Sequence, residues 1–311
     1  MAEALRPMST GELLDRTFAL YKRNFLLFAG IVLPGPMIML VVQLIQLPFA
    51  KQLMTSAQNP QILMANLGRF FWWWGISIFV WTIGMSITHA ATVRAVSAVH
   101  LSRPITVGES YSGLRGKFLR VILIVICILL GFVGAWAVFG GAAALITGIA
   151  VAAGWTAGLL GKIAGVAVGV VALLSAAVLV VWFMARYALA IQACVVENTK
   201  IFQSLKRSAV LAKRSIMRII VVYVLFVVIN LVIALTFTSV VRLVTLPFHS
   251  YELTGVLQAL VSFLAGVLVG PLATVAMSLV YYDERVRKEG FDLELMMTAL
   301  NRTASTSAAS A

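Results

Sequence analysis

The sequence predicts an all-α, polytopic membrane protein of six transmembrane helices, arranged as three two-helix repeats with amphipathic helices on the cytoplasmic side. Three observations predict it. Hydrophobic residues make up 61% of the 311 and charged residues only 11%, far from the balance of a soluble domain. Six runs are long and apolar enough to cross a hydrocarbon core, which takes about 20 helical residues: Phe25–Phe49, Phe71–Val93, Val121–Val151, Ile163–Ala185, Ile219–Val241 and Leu253–Tyr281. The lysines and arginines alternate by side, with 20 of the 24 falling in the arm before the first run, the connections after the second and fourth, and the tail. The positive-inside bias makes that side the cytoplasm and puts both termini there.

A basic stretch organises the chain. TKIFQSLKRSAVLAKRSIMR (Thr199–Arg218) reads as an amphipathic helix feeding into the fifth span, and ELLDRTFALYKRNF (Glu12–Phe25) repeats its pattern 191 residues earlier. Leu14 falls on Leu205, Arg16 on Arg207, Leu20 on Leu211, and Lys22-Arg23 on Lys213-Arg214. A weaker copy, TVGESYSGLRGKFLR, starts at Thr106. The expected units are 9–105, 106–198 and 199–300 of a single domain, with 301–311 as a disordered tail.

The elements follow in order. Ser9 and Glu12 form an S-x-x-E capping box that starts a helix near Thr10,. Leu14, Phe18, Tyr21 and Phe25 then lie on one stripe, opposite Glu12, Arg16 and Arg23,. Such a helix lies in the membrane interface before the chain turns in. Pro34, Gly35 and Pro36 interrupt the first span, because proline removes a helix donor and clashes with the preceding turn; they are the candidate hinge,. Lys51–Arg69 reads as the longest outer connection, and Phe70–Trp74 as an aromatic anchor at headgroup depth,. Thr106 and Glu109 repeat the capping box, and Gly113 and Gly116 weaken the helix that follows,. Two spans hinge around Gly154–Lys162. Gly161, Gly165 and Gly169, like Gly266 and Gly270 in the sixth span, are spaced by four for close helix packing,. The last helix continues as YYDERVRKEG to a C-cap at Gly290, and Phe291–Leu300 forms one more short surface helix,.

Little here points to catalysis. No HExxH, CxxC or GxSxG occurs, no phosphate-cradling glycine loop occurs, and His89, His100 and His249 have no metal-ligand spacing,. No enzyme, cofactor or metal site is expected. Cys127 and Cys194 fall inside or beside spans and read as small buried hydrophobes. Asp283-Glu284 and Asp292/Glu294 stand among Arg285, Arg287 and Lys288 and read as an exposed, salt-bridged helix end. The even-numbered spans each reach an arginine near the inner face: Arg94, Arg186 and Arg285. Two readings stand for them, a shared anion pocket or separate snorkelling to headgroups. With Lys206, Arg207, Lys213 and Arg214 they form the candidate set for anion or lipid-headgroup binding. The net charge of +13 is concentrated beside apolar runs, which points to anionic lipid rather than nucleic acid.

LRPMSTGELLDRTFALYKRNF, SLKRSAVLAKRS and, most specifically, YYDERVRKEGFDLELM resemble the bacterial membrane-domain family associated with glycerophosphoryl diester phosphodiesterases. In that family some members carry a fused phosphodiesterase barrel and others stand alone. None of the three histidines begins the His-Arg-Gly signature such a barrel needs, so no catalysis is carried over. The resemblance implies a bacterial inner-membrane protein, lipid-associated or a partner for another protein. The expected function is a non-catalytic scaffold or accessory subunit contacting anionic lipid, or a protein partner, through its basic inner face. The alternative is a secondary transporter or permease for a small anionic or lipid-like substrate, which would need a polar cavity at mid-membrane depth. No intramembrane ionisable group, the usual mark of ion coupling, is plain in the six runs.

Overall fold

The computed structural model describes residues 7–55, 60–156, 158–290 and 297. Every regular element among them is helical: α1 (Thr10–Arg23), α2 (Phe25–Val32), α3 (Pro34–Thr55), α4 (Pro60–His100), α5 (Val107–Ser112), α6 (Phe118–Ala135), a π turn at Trp136–Gly140, α7 (Gly141–Thr156), α8 (Gly158–Tyr187), α9 (Ala190–Glu197), α10 (Ile201–Ala212), α11 (Ile216–Thr245) and α12 (Tyr251–Glu289). Five helical runs are long and apolar enough to cross a membrane, and α2 with α3 makes a sixth if that bent pair is one span.

The bend between α2 and α3 is 42° and falls at Leu33, just before the Pro34-Gly35-Pro36 group. It is packed from outside. Pro36 lies about where a side chain on Gly266 of α12 would begin, 3.0 Å from a Cβ placed there, and Val32 faces Gly270. Tyr21 and Tyr111 donate from the surface helices to the carbonyls of Leu268 and Ile31, both at 2.5 Å, each within a few residues of a helix proline. Carbonyls near such breaks are the ones least served by the helix itself.

Several expectations need correction. The connection after α3 is shorter than Lys51–Arg69, because α4 begins at Pro60 and runs for 41 residues, about 60 Å at 1.5 Å per residue. The hinge expected over Gly154–Lys162 contracts to the join of α7 and α8, where Gly158 has φ +73°, a conformation open to glycine. Thr199–Arg218 is not one helix: α10 ends at Ala212 and α11 starts at Ile216. The α1–α2 junction matches this break at the same shift of 191, since Phe25 opens α2 as Ile216 opens α11. Apart from Met297, the Phe291–Leu300 helix and the 301–311 tail lie outside the described residues.

The apolar stripe of α1 is also rotated from its expected position. Leu13 and Thr17 are fully buried while Phe18 is 44% exposed. Thr17 is buried because its hydroxyl donates to the Leu13 carbonyl at 2.8 Å, so no polar group is left unmet. α10 buries Ser204 and Ser208 at the positions equivalent to Leu13 and Thr17; Ser204 repeats the device, donating to the Lys200 carbonyl at 2.9 Å, whereas Ser208 donates to the Arg186 carbonyl instead. Both surface helices therefore dock on protein: α1 against α12, and α10 against α6, α8 and α9.

The core gathers at the charged end. Its members include Leu13, Phe28, Ala91, Val96, Leu189, Ala193, Leu211, Ile219 and, on α12, Val275, Leu279, Tyr281 and Tyr282. α12 is central and touches α1, α2, α3, α4 and α11. At the opposite side α7 and α8 form a hairpin, with the Gly154 Cα held against the Gly161 carbonyl, Gly165 against the Ala150 carbonyl and Gly169 against Thr147.

Candidate functional site

The last turns of α12 carry three successive i,i+4 ion pairs: Asp283–Arg287 at 2.7 Å, Glu284–Lys288 at 3.0 Å and Arg285–Glu289 at 3.2 Å. Such pairs are neighbours on a helix. The first two acids are not on an exposed helix end, as the sequence suggested, but buried. Each is shared with other parts of the chain. Asp283 accepts from the Met8 backbone N–H at 2.6 Å and from Arg218. Glu284 accepts from the Ser215 hydroxyl at 2.5 Å and lies 3.6 Å from Arg218. Arg218 and Arg287 both donate back to the Met8 carbonyl, at 2.9 and 2.5 Å, and Lys288 donates to the Leu211 carbonyl near the end of α10. Two buried carboxylates thus hold together the N-terminal arm, the α10–α11 turn and the end of α12. Burial of a charge is tolerated on those terms, paired and hydrogen-bonded.

A second network adjoins it. Glu197, at the end of α9 where Asn198 turns the chain with φ 55°, receives Arg207 at 2.9 Å and the Tyr281 hydroxyl, with Arg285 at 3.8 Å. Arg207 also pairs with Glu289 at 2.5 Å. The α9–α10 turn and α12 are therefore tied through one arginine.

These networks sort the candidate cations into two groups. Arg285 and Arg207 are engaged by carboxylates. Arg94 lies flat on Gly113, its guanidinium carbon 1.9 Å from where a Cβ there would sit, and donates to the Gly113 carbonyl at 3.2 Å. That space explains the glycine better than helix weakening does. Arg186, by contrast, lies over the Trp182 ring at 5.3 Å. Lys206, Lys213 and Arg214 are exposed. None of these four side chains has a carboxylate partner among the described residues. Arg94, Arg186 and Arg285 have three different sets of neighbours, and no described partner is common to two of them.

Two cavities border the charged end. One of about 540 Å³ lies between the start of α1 and the α10–α11 turn, lined by Ser9, Thr10, Lys213, Arg214, Arg218 and Glu284 among others. The other, about 510 Å³, lies between α6, α8 and α10 and includes Ile128, Phe183, Arg186, Tyr187, Phe202 and Lys206. The four unengaged cations divide between them, two to each.

Three helix starts at this end share one device. Glu12 caps the Ser9 N–H at 2.8 Å, Glu109 caps the Thr106 N–H at 2.7 Å, and Gln203 accepts from the Lys200 N–H at 3.3 Å. The Thr106 amide and hydroxyl hold the Glu109 carboxyl below its usual range.

Sequence reasoning missed Ser208, Ser215, Arg218 and Glu197 as organising residues. The i,i+4 series on α12 was visible; the partners on α9, α10 and α11 are ten or more residues from what they bind. Comparisons with protein-family models, curated proteins and solved structures give no match, so the family resemblance of the three motifs remains a proposal.

Proposed function

We propose that this chain is a non-catalytic, multi-pass protein of the bacterial inner membrane, with its charged end in the cytoplasm, that gathers anionic lipid at that face as a scaffold or accessory subunit. The observation that carries the reading is the division of cations: Arg186, Lys206, Lys213 and Arg214 have no carboxylate partner among the described residues, while Arg207, Arg218, Arg285, Arg287 and Lys288 are engaged internally. Each unengaged cation near an anionic surface adds about 1 kcal/mol of attraction. The matching junctions of α1–α2 and α10–α11 and the three similar caps support descent from repeated units. The membrane-domain family that the YYDERVRKEGFDLELM motif resembles fits the same proposal.

Transport draws less support. Gln46 pairs with Ser77 at 2.8 Å, Gln258 with Thr238 at 3.1 Å, and Asn230 bonds the Phe226 carbonyl of its own helix. These intramembrane polar groups satisfy one another or their helix rather than an open path, and both cavities described above border the charged end.

The test uses protein reconstituted in phosphatidylcholine vesicles with spin-labelled phosphatidylglycerol or phosphatidylcholine. The wild type should hold more of the phosphatidylglycerol label in its immobilised shell, with the preference falling as salt rises. Lys206→Gln/Lys213→Gln/Arg214→Gln should remove most of it. Equal immobilisation of both labels by the wild type would sink the proposal. Impermeant maleimide labelling of a cysteine at position 213 in intact cells and inverted vesicles checks the side, with reaction only in the latter expected.

A further inference from the structure

We propose that the cavity between α6, α8 and α10 is a site for one anionic phospholipid, its phosphate held between Arg186 and Lys206. The inference rests on the lipid-gathering reading and assigns a particular place to it. Among the described residues lining the cavity are two cations and no carboxylate, so the lining carries a local positive charge. A phosphate diester supplies the complement, since a guanidinium binds two phosphate oxygens at once and an ammonium adds a third donor.

The site is built by a break in the chain. Between α8 and α9 the helix is interrupted, and the Ser208 hydroxyl bridges the interruption: it donates to the Arg186 carbonyl at 3.0 Å and accepts from the Leu189 N–H at 3.1 Å. One hydroxyl thereby fixes Arg186 and α10 relative to each other, and Lys206 stands two residues before it. Trp182 sits under the guanidinium at 5.3 Å and leaves the charge unneutralised, because a ring face supplies no anion.

The remaining walls suit an acyl chain. Phe183 packs over Gly131 of α6, its ring 2.7 Å from where a Cβ would be, and stacks edge-on with Tyr187 at 5.0 Å between centroids. Leu130, Val133 and Leu179 further along α6 and α8 are exposed and apolar. Phe202, 80% exposed on α10, stands on the other side of the cavity. A peptide would find no backbone partners in these walls, whereas a lipid needs only a charged end and an oily one.

Native mass spectrometry of the full chain, purified in mild detergent and mixed with equal amounts of dioleoyl phosphatidylglycerol and dioleoyl phosphatidylcholine, tests the site. The wild type is expected to keep one phosphatidylglycerol through activation that strips phosphatidylcholine. Arg186→Gln and Lys206→Gln should each lower that retained fraction about tenfold, the scale of one lost charge-assisted hydrogen bond. Arg186→Lys should recover part of it, and Lys22→Gln/Arg23→Gln on α1 should leave it intact, with Lys213→Gln/Arg214→Gln measured beside them. An unchanged thermal midpoint for each variant excludes misfolding as the cause. Loss in the Lys213/Arg214 variant but not in the Arg186 and Lys206 variants would overturn the site while leaving the lipid-gathering reading standing. No wild-type preference for phosphatidylglycerol would overturn both. Displacement of the retained lipid by millimolar inorganic phosphate would reassign the site to a free anion and overturn the lipid proposal.

Discussion

The charged end and the α7–α8 hairpin are stabilised by opposite means. In the spans carried by α4 and α12, 44% and 33% of the most apolar window is buried in protein, against 17% in the other three. At the charged end, side chains from distant segments converge on Asp283, Glu284 and Glu197. In the hairpin, glycine brings one backbone against the other: Gly165 against the Ala150 carbonyl, Gly154 against the Gly161 carbonyl. The difference follows from solvent. Helices in lipid gain no hydrophobic driving force from one another and rely on close packing. α12 runs for 39 residues, about 58 Å against a hydrocarbon core of about 30 Å. The helix is longer than the core it is apolar enough to cross, and its last turns, which carry Asp283, Glu284 and Glu289, build a core as soluble proteins do.

The largest test of that contrast is removal of a buried acid. Asp283→Ala removes the nearest carboxylate from Arg218 and Arg287 and frees the Met8 amide, and should cost about 3–5 kcal/mol, the usual effect of breaking a buried pair. Thermal unfolding in detergent reads this, and an undiminished midpoint would mean that the pairs are peripheral. Gly165→Leu should next cost about 1–3 kcal/mol through overpacking. Its increase in amide exchange should stay within α7 and α8; spread to α12 would show that the two regions are one cooperative unit. Ser208→Ala leaves the Leu189 N–H without its bond, at a cost of about 1–3 kcal/mol, seen as faster exchange at Leu189.

The smallest effect is one of pH. The Glu109 carboxyl is held below its usual range by the Thr106 amide and hydroxyl. The folded value is the lower one, so this cap stabilises α5 above the ordinary glutamate range near 4.3 and is lost as pH falls through the folded value. Amide exchange at Thr106 should accelerate in that acid window in the wild type and show no such step in Glu109→Gln. An identical step in the variant would assign the titration elsewhere.

Much of the fold was legible because local chemistry sets it. The capping boxes at Ser9 and Thr106, the bend before Pro34 and the Gly290 C-cap, with φ 62°, each depend on residues within one turn. The α1 stripe was misplaced because residue type alone ranks Thr17 as polar; only its bond to the Leu13 carbonyl shows why it tolerates burial. The division of cations was not legible for a related reason. Arg285–Glu289 can be read from spacing, whereas Arg207 meets Glu197 across a turn and Arg218 meets Asp283 across 65 residues. Adjacent members of one basic stretch, Lys206 and Arg207, thus differ in surroundings that sequence cannot separate: Arg207 is bound by Glu197 and Glu289, and Lys206 is exposed.

That adjacent pair offers the most direct test. Lys206→Gln and Arg207→Gln should be compared in thermal midpoint and in phosphatidylglycerol retained per folded molecule. The expected result is a crossing: Arg207→Gln lowers the midpoint with retention kept, and Lys206→Gln keeps the midpoint and loses retention. Two variants that shift both readouts alike would contradict the division between structural and lipid-facing cations.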